Sequence, residues 1–108
     1  MKLSADLVRM VYICHPFAND PVGNTRAIRD ICRQVVDAGD LPIAPQLYLP
    51  QFMSEERERE QAMDFCCAML AVCDELRIYS APSDGMKREI AFAEEMGVSC
   101  VRAITPFK

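Results

Sequence analysis

The sequence has no cluster of basic residues, no long apolar run and no segment typical of a secretion signal. Its twelve Lys and Arg residues are outnumbered by sixteen Asp and Glu, a net charge of −4, so nucleic acid and anionic membranes are poor partners. No stretch approaches the roughly 18 apolar residues of a membrane span, and residues 1–17 lack a basic start and a cleavage site. These absences predict a cytoplasmic protein.

Metal-binding and common nucleotide-binding motifs are also missing. His15 is the single histidine, and no two of the six cysteines have the C-x-x-C spacing, so no metal site is expected. Most of the cysteines lie in apolar runs, which indicates reduced thiols in a core. Neither G-x-G-x-x-G nor G-x-x-x-x-G-K-[ST] occurs, which disfavours an ordinary dehydrogenase or a kinase. No cofactor is predicted.

The apolar pattern predicts one α/β domain over residues 1–108. Short apolar runs, typical of buried strands, alternate with segments of helical periodicity. The predicted strands cover 7–14, 41–44, 76–81 and 98–104, and the predicted helices begin near residues 24, 54 and 84. This alternation implies a parallel sheet with right-handed crossovers and helices on both faces. We expect a three-layer, flavodoxin- or Rossmann-like sheet of four to five strands in the order 2-1-3-4.

Polar residues and glycines mark the predicted helix boundaries. Asn24 is suited to cap the first helix and Gly39 to end it. Ser54, followed by Glu55 and Glu56, is suited to begin the second helix, because acidic side chains favour the first turn.

The second predicted helix is unusual because residues 61–73 are apolar on all sides except at Asp64. A helix without a polar face must be covered on more than one side. The segment therefore predicts a subunit interface in a homodimer or a larger homo-oligomer. As the only charge in the run, Asp64 needs a partner or a task, since an unpaired buried carboxylate is costly. The alternative is that Asp64 lies near the solvated beginning of the helix.

The predicted topology locates a ligand site before any motif is considered. In open α/β sheets, ligands bind beyond the carboxyl ends of the strands, where the connections diverge. With the order 2-1-3-4, this point lies between the first and third strands, whose following loops contain residues 14–17 and 81–85. The second of these loops leads into the helix that carries Glu89, so the two loops and Glu89 form the expected site.

Several polar residues near this point are candidates for chemistry. Glu89 is a candidate nucleophile or general base, because a helix amino end and neighbouring cations favour the ionised form; the alternative is a glutamate at the edge of the core. Ser83 is suited to capping or to donating to a phosphate, with Asp84 as the alternative cap, and Gly85 is suited to a tight turn that a ligand approaches. Tyr12 is a core residue or reaches the crevice with its hydroxyl.

Thiol catalysis by Cys14 and His15 is disfavoured, because adjacent residues at the end of a strand point in opposite directions. His15 remains a candidate for contact with a ligand. Asn24 and Arg26, at the beginning of the first helix, suit a phosphate as well as ordinary capping.

Two segments carry a resemblance to a known family. They are Val11-Tyr12-Ile13-Cys14-His15-Pro16-Phe17 and Ser83-x-Gly85-Met86-x-x-Glu89-Ile90-Ala91-Phe92-Ala93. With an asparagine opening the first helix and an acid in the apolar helix, the chain resembles the nucleoside 2-deoxyribosyltransferase family, its relative the 2'-deoxynucleoside 5'-phosphate N-hydrolase, and small uncharacterised phage and bacterial proteins grouped with them. The resemblance covers nearly the whole chain. Its most specific part is the family's G-x-x-x-E-[LI]-[GA]-[YF]-A, which puts the catalytic glutamate at Glu89.

The resemblance implies that Glu89 attacks the anomeric carbon of a 2'-deoxyribonucleoside, releases the base and forms an ester that water or another base resolves. It assigns Tyr12 to positioning the nucleophile, Ser83 to the 5'-phosphate and Asp64 to the leaving base or the sugar. The expected substrate-binding residues are Cys14, His15, Pro16, Phe17, Asn24, Arg26, Ser83, Gly85 and Met86. Ser83 and the short chain favour the hydrolase over the transferase. The competing hypotheses are a nucleotide-binding or sensing module without turnover and an oligomeric structural protein of unknown ligand.

Overall fold

The fold was determined from a computed structural model, which describes residues 8–54 and 56–103, and it alternates strands and helices along the chain. The elements are β1 (Met10–Cys14), α1 (Pro21–Asp37), β2 (Leu41–Ile43), α2 (Arg59–Leu70), β3 (Glu75–Ile78), α3 (Asp84–Met96) and β4 (Ser99–Arg102). Two short 3-10 turns, Pro45–Leu47 and Leu49–Gln51, join β2 to α2. Within the described ranges, no helix is long and apolar enough to cross a lipid bilayer.

The four strands form one parallel sheet in the order β2-β1-β3-β4, which confirms the predicted fold class and strand order. β1 and β3 are the two central strands, and Tyr12 and Cys14 of β1 lie opposite Leu76 and Ile78 of β3. All residues from Val11 to Cys14 are buried. The predicted burial of β1 on both faces is therefore confirmed.

Side chains of β1 alternate between two apolar clusters, one on each face of the sheet. Val11 and Ile13 pack with Ile28, Ile31 and Val35 of α1 on one face. Tyr12 and Cys14 pack on the other face with residues of α2 and α3, including Leu70, Met86 and Ala93. This alternation directs Tyr12 and Cys14 towards the helix that carries Glu89.

Helix α1 begins three residues earlier than predicted, and its cap is Asp20 instead of Asn24. The Asp20 carboxylate accepts a hydrogen bond from the Gly23 amide at 3.2 Å. Pro21 favours this start, because its fixed φ suits the first helical position and its missing N–H would have no partner there. Asn24 then lies inside the helix. The predicted end is close to the observed one, since Gly39 follows the helix with a φ of +93°.

Helix α2 begins at Arg59, so the predicted start at Ser54 is wrong. Ser54 closes a separate turn: its amide donates to the Glu58 carboxylate at 2.7 Å, and its hydroxyl accepts from the Arg57 amide at 3.2 Å. Ser54 therefore caps this turn and not helix α2, which starts five residues later. Glu55 lies outside the described residues.

The observed strands are shorter than the apolar runs that predicted them. β1 starts at Met10 and β3 ends at Ile78, although the apolar runs extend to Leu7 and Ala81. A strand ends where its neighbour no longer pairs with it, and this position cannot be predicted from the residues of the strand alone. Leu7, and Ile104 of the predicted last strand, lie outside the described residues.

The amino edge of the sheet holds a buried carboxylate that is paired with two arginines. Glu75, 4% exposed, is bound by Arg9, and it accepts a hydrogen bond from Arg77 Nε at 2.7 Å. Burial alone would raise the pKa of Glu75, but the hydrogen bonds from Arg77 and Arg9 hold this pKa below its ordinary value of 4.5. The ionised form of Glu75 therefore stabilises the fold.

We predict that Glu75→Gln lowers the free energy of unfolding by roughly 1–3 kcal/mol at neutral pH, because hydrogen bonds between charged groups are lost. Since the pKa of Glu75 is lowered by folding, its contribution is present above about pH 4.5 and disappears as the pH falls through the folded-state value. Urea unfolding at a series of pH values measures the deficit. Asp37→Asn, which removes an exposed ion pair with Arg33, is the control and should cost under about 0.5 kcal/mol. A pH-independent deficit for Glu75→Gln would contradict the prediction.

Candidate functional site

Glu89 lies on the second turn of α3, where the amino end of this helix meets the carboxyl edge of the sheet. Of the two predicted caps, Ser83 is the one observed, its hydroxyl accepting from the Met86 amide at 3.3 Å. Gly97 ends the helix with a φ of +78°, a conformation that favours glycine. With these two ends fixed, the side chain of Glu89 points towards the sheet, and the residue is only 8% exposed.

Both oxygens of the Glu89 carboxylate are bound by side chains of β1. The Tyr12 hydroxyl donates to Oε2 at 2.7 Å, and the Cys14 thiol donates to Oε1 at 3.5 Å. Tyr12 and Cys14 are themselves fully buried. Two residues at alternate positions of one strand therefore hold one carboxylate between them.

Burial determines the protonation behaviour of this group. It raises the pKa of Glu89, and the hydrogen bonds from Tyr12 and Cys14 offset only part of that effect. Burial, and then the negative charge of Glu89, raise the pKa of Tyr12 well above its ordinary value and raise that of Cys14 strongly as well. Cys66 of α2 interacts with Tyr12 and raises its pKa further. Tyr12 and Cys14 thus remain protonated donors, which disfavours thiolate chemistry at Cys14.

A cavity of about 480 Å³ opens at the carboxyl edge of the sheet, and Glu89 is part of its lining. The loops after β1 and β3 form adjacent parts of the wall, as the topology predicted. Of the residues singled out in the sequence, the structure brings His15, Pro16, Phe17, Ser83, Gly85, Met86 and Glu89 to this cavity. Tyr12 and Cys14 lie behind Glu89 instead of in the lining.

Two predicted residues at the beginning of α1 do not line the cavity. The Asn24 amide group donates to the Phe17 carbonyl at 3.0 Å and to Asn19 Oδ1 at 2.7 Å. Because Phe17 and Asn19 belong to the lining, Asn24 holds the loop in place from outside. Arg26 is exposed and lines a different hollow on α1, together with Val22.

The structure also does not bring Asp64 to the cavity. Asp64 is exposed, whereas Ala62, Met63 and Cys66 of the same helix line the wall. Since successive helical residues are about 100° apart, residue 64 lies roughly opposite residues 62 and 66. Helix α2 thus presents the Cys66 thiol and the Met63 thioether to the cavity, and the Asp64 carboxylate to the outside.

Sequence reasoning missed the segment between β2 and α2, which supplies much of the remaining wall. Its contributions are Pro45, Gln46, Leu49, Pro50, Met53 and Ser54, with Arg59 from the start of α2. Gln46 Nε2 donates to the carbonyls of Ile13 at 3.0 Å and His15 at 3.3 Å, which ties this segment to the end of β1. Gln46 Oε1 is buried without a hydrogen-bond partner among the described residues. The topology could have located this segment, because the loop after β2 also leaves the sheet at its carboxyl edge.

The site offers a carboxylate in a largely apolar setting with polar groups on its walls. Ser83 and Arg59 suit an anionic group, and the Gln46 oxygen suits a hydrogen-bond donor. Among residues 8–54 and 56–103, no group of His, Cys, Asp and Glu side chains could hold a metal ion.

Comparison with known proteins relates the chain to one family and to the fold of two enzymes. Residues 9–103 match the family described as "Domain of unknown function (DUF7768)", and no curated protein matches the chain. The structure is similar to 2-desoxiribosyltransferase from Leishmania mexicana, with a TM-score of 0.64 and 16% identity over 87% of this chain and 63% of that chain. It is also similar to 2-deoxyribosyltransferase from Bacillus psychrosaccharolyticus, with a TM-score of 0.65 and 18% identity over 86% of this chain and 70% of that chain. At such identities the similarity shows the fold.

The raised pKa of Glu89 means that its ionised form destabilises the folded chain, so we predict that Glu89→Gln is more stable than the wild type above pH 7, by about 0.5–2 kcal/mol. Because folding raises this pKa, wild-type stability increases as the pH falls through the folded-state value. The advantage of the variant should therefore shrink towards pH 4.5, the ordinary value. Thermal unfolding across this range measures it. Glu95→Gln, on the exposed side of α3, is the control. A less stable Glu89→Gln protein at pH 8 would oppose the prediction.

Proposed function

Because the chain belongs to the DUF7768 family, whose description names no activity, we propose its function from the geometry around Glu89. The proposed activity is cleavage or transfer of the N-glycosidic bond of a 2'-deoxynucleoside or its 5'-monophosphate. The observation that carries it is a buried glutamate, held by Tyr12 at 2.7 Å, in the wall of a cavity of about 480 Å³. That volume suits a ligand of nucleotide size.

In the proposed reaction, Glu89 attacks the anomeric carbon of the sugar. The bond between that carbon and the base nitrogen breaks, its electron pair leaves with the base, and an ester joins the sugar to Glu89. Water or a second base then attacks the same carbon and releases the carboxylate. The hydrogen bond from Tyr12 fixes the orientation of Glu89 for the attack and stabilises its charge when the ester breaks.

A 5'-monophosphate is the favoured substrate because the cavity wall contains groups that suit an anion. Ser83 caps α3, and free amide groups at a helix amino end favour negative charge. Arg59 adds a positive charge to the same lining. These features support hydrolysis of a nucleotide over transfer between nucleosides.

Nucleotide binding without turnover is the second candidate function. It is favoured by one observation: helix α2 contributes Met63 and Cys66 to the cavity, whereas both of its carboxylates, Glu60 and Asp64, are exposed and do not line it. No acid of α2 is then available to the leaving base. Such a protein would retain the pocket and the buried Glu89.

We predict that the wild-type protein releases free base from a panel of deoxynucleosides and their 5'-monophosphates, measured by chromatography. Glu89→Gln should lose at least about a thousandfold in rate, because the nucleophile is removed. Tyr12→Phe should lose roughly ten- to a hundredfold, since a hydrogen bond to a charged group is lost. Asp64→Asn is the matched acidic control and should keep full activity. If the wild type releases no base while a nucleotide raises its melting temperature, the binding module is correct.

We also propose that the apolar segment 61–73 forms an interface between copies of this chain. Phe65 of α2 and Val72 after it are 41% and 67% exposed, so two large apolar side chains of this segment are open to contact with another surface. Burial of these side chains against a second copy would remove them from water.

We expect sedimentation to give the mass of a dimer or a larger oligomer, and Phe65→Glu to reduce it to that of a monomer, because a charge would be buried in the interface. Val22→Glu, at a 74% exposed position of α1, is the control and should leave the mass unchanged. A monomeric wild type would rule the interface out.

A further inference from the structure

The two oxygens of Glu89 are held by donors of very different strength. The Tyr12 hydroxyl lies 2.7 Å from Oε2, a short hydrogen bond between oxygens. The Cys14 thiol lies 3.5 Å from Oε1, and a thiol is a weak donor. The carboxylate is thus fixed at both oxygens but bound tightly at only one of them.

We propose that Cys14 is a positioning residue, whose thiol hydrogen orients Oε1 of Glu89 and leaves that oxygen as the reactive one. The statement that Oε1 is the reactive oxygen rests on the proposed function. The contact between Cys14 and Glu89 rests on the geometry alone. A strong donor on Oε1 would withdraw electron density from it. A weak donor restrains rotation of the carboxylate and leaves Oε1 more nucleophilic than Oε2.

Neither packing alone nor contact with a ligand accounts for the position of Cys14. Its side chain is fully buried behind Glu89 and does not line the cavity, so the predicted substrate contact is replaced by a contact with the carboxylate. An alanine or valine would also fill space in the apolar cluster with Leu76 and Met86. It would leave Oε1 without the thiol donor in a buried setting, where an unsatisfied oxygen is costly.

The titratable groups that interact with Glu89 come from β1 and α2, while β4, which also packs against α3, contributes Cys100 only through its effect on Cys14. β1 contributes Tyr12 and Cys14. α2 contributes Cys67, whose thiol pKa is raised first by burial and then by the charge of Glu89, and Cys66, which interacts with Tyr12. None of these side chains is cationic, so the hydrogen bonds from Tyr12 and Cys14 are the main contacts that favour ionised Glu89.

The test is the titration of the Glu89 carboxyl carbon, followed by ¹³C NMR in the wild type, Cys14→Ala and Cys14→Ser. Alanine and serine are similar in size, so this pair differs chiefly in the presence of a donor. If the thiol acts as a donor, the alanine variant shifts the pKa of Glu89 upward, and the serine variant keeps it at or below the wild-type value. Cys73→Ala removes a buried thiol of the same cluster that donates to the Met69 carbonyl, and it should leave the titration unchanged.

Equal upward shifts for alanine and serine, or no shift for either, would overturn the role of the thiol as a donor. The reactivity part is tested by base release: the alanine and serine variants should each lose about two- to tenfold in kcat, alanine through lost orientation and serine through a stronger bond to Oε1. A serine variant faster than the wild type would overturn it. A wild type without base release would contradict the proposed function, while the NMR titration still decides whether Cys14 positions Glu89.

Discussion

The hydrogen bond from Tyr12 to Glu89 is the interaction on which the site depends. It joins the central strand β1 to helix α3 across the apolar cluster, at 2.7 Å and with both residues buried. This hydrogen bond is buried because both faces of β1 are covered. Side chains of a strand alternate between the two faces, so Tyr12 and Cys14 share the face that α3 covers. Helix α1 on one face and helices α2 and α3 on the other provide that cover, and the Ser83 cap sets the start of α3 so that Glu89 meets the hydroxyl.

Two buried glutamates at opposite edges of the same sheet show how the partner determines the role of a carboxylate. Glu75 is held by two arginines, so its pKa is lowered and its charge stabilises the fold. Glu89 is held by a phenol and a thiol, which donate hydrogen bonds but carry no charge, so burial dominates and its pKa is raised. The first arrangement suits a structural ion pair. The second holds a carboxylate in an unfavourable setting, a condition typical of functional sites.

The strand order and the two loops beside Glu89 could be predicted because they follow from apolar periodicity and from the rules for parallel connections. The start of α1 could not, because Asn24 and Asp20 are equally good caps in isolation and Pro21 decides between them. The wall around Gln46 was missed because it comes from 3-10 turns without periodicity. The exposure of Asp64 depends on how α2 is rotated against the sheet, which a run that is apolar on all sides does not fix.

Under the proposed function, the leaving base needs a proton from a group in the cavity lining. Besides Glu89, the cavity lining contains the carboxylate of Asp84 and the imidazole of His15. Asp84 is in the first turn of α3, where negative charge is favoured by the helix dipole. His15 Nδ1 lies 2.8 Å from the Pro16 carbonyl oxygen, a contact that places a proton on Nδ1 and leaves Nε2 for exchange with a ligand. Under the proposed function, His15 in the loop after β1 is therefore the candidate for this proton transfer, because Asp64 of α2 does not line the cavity.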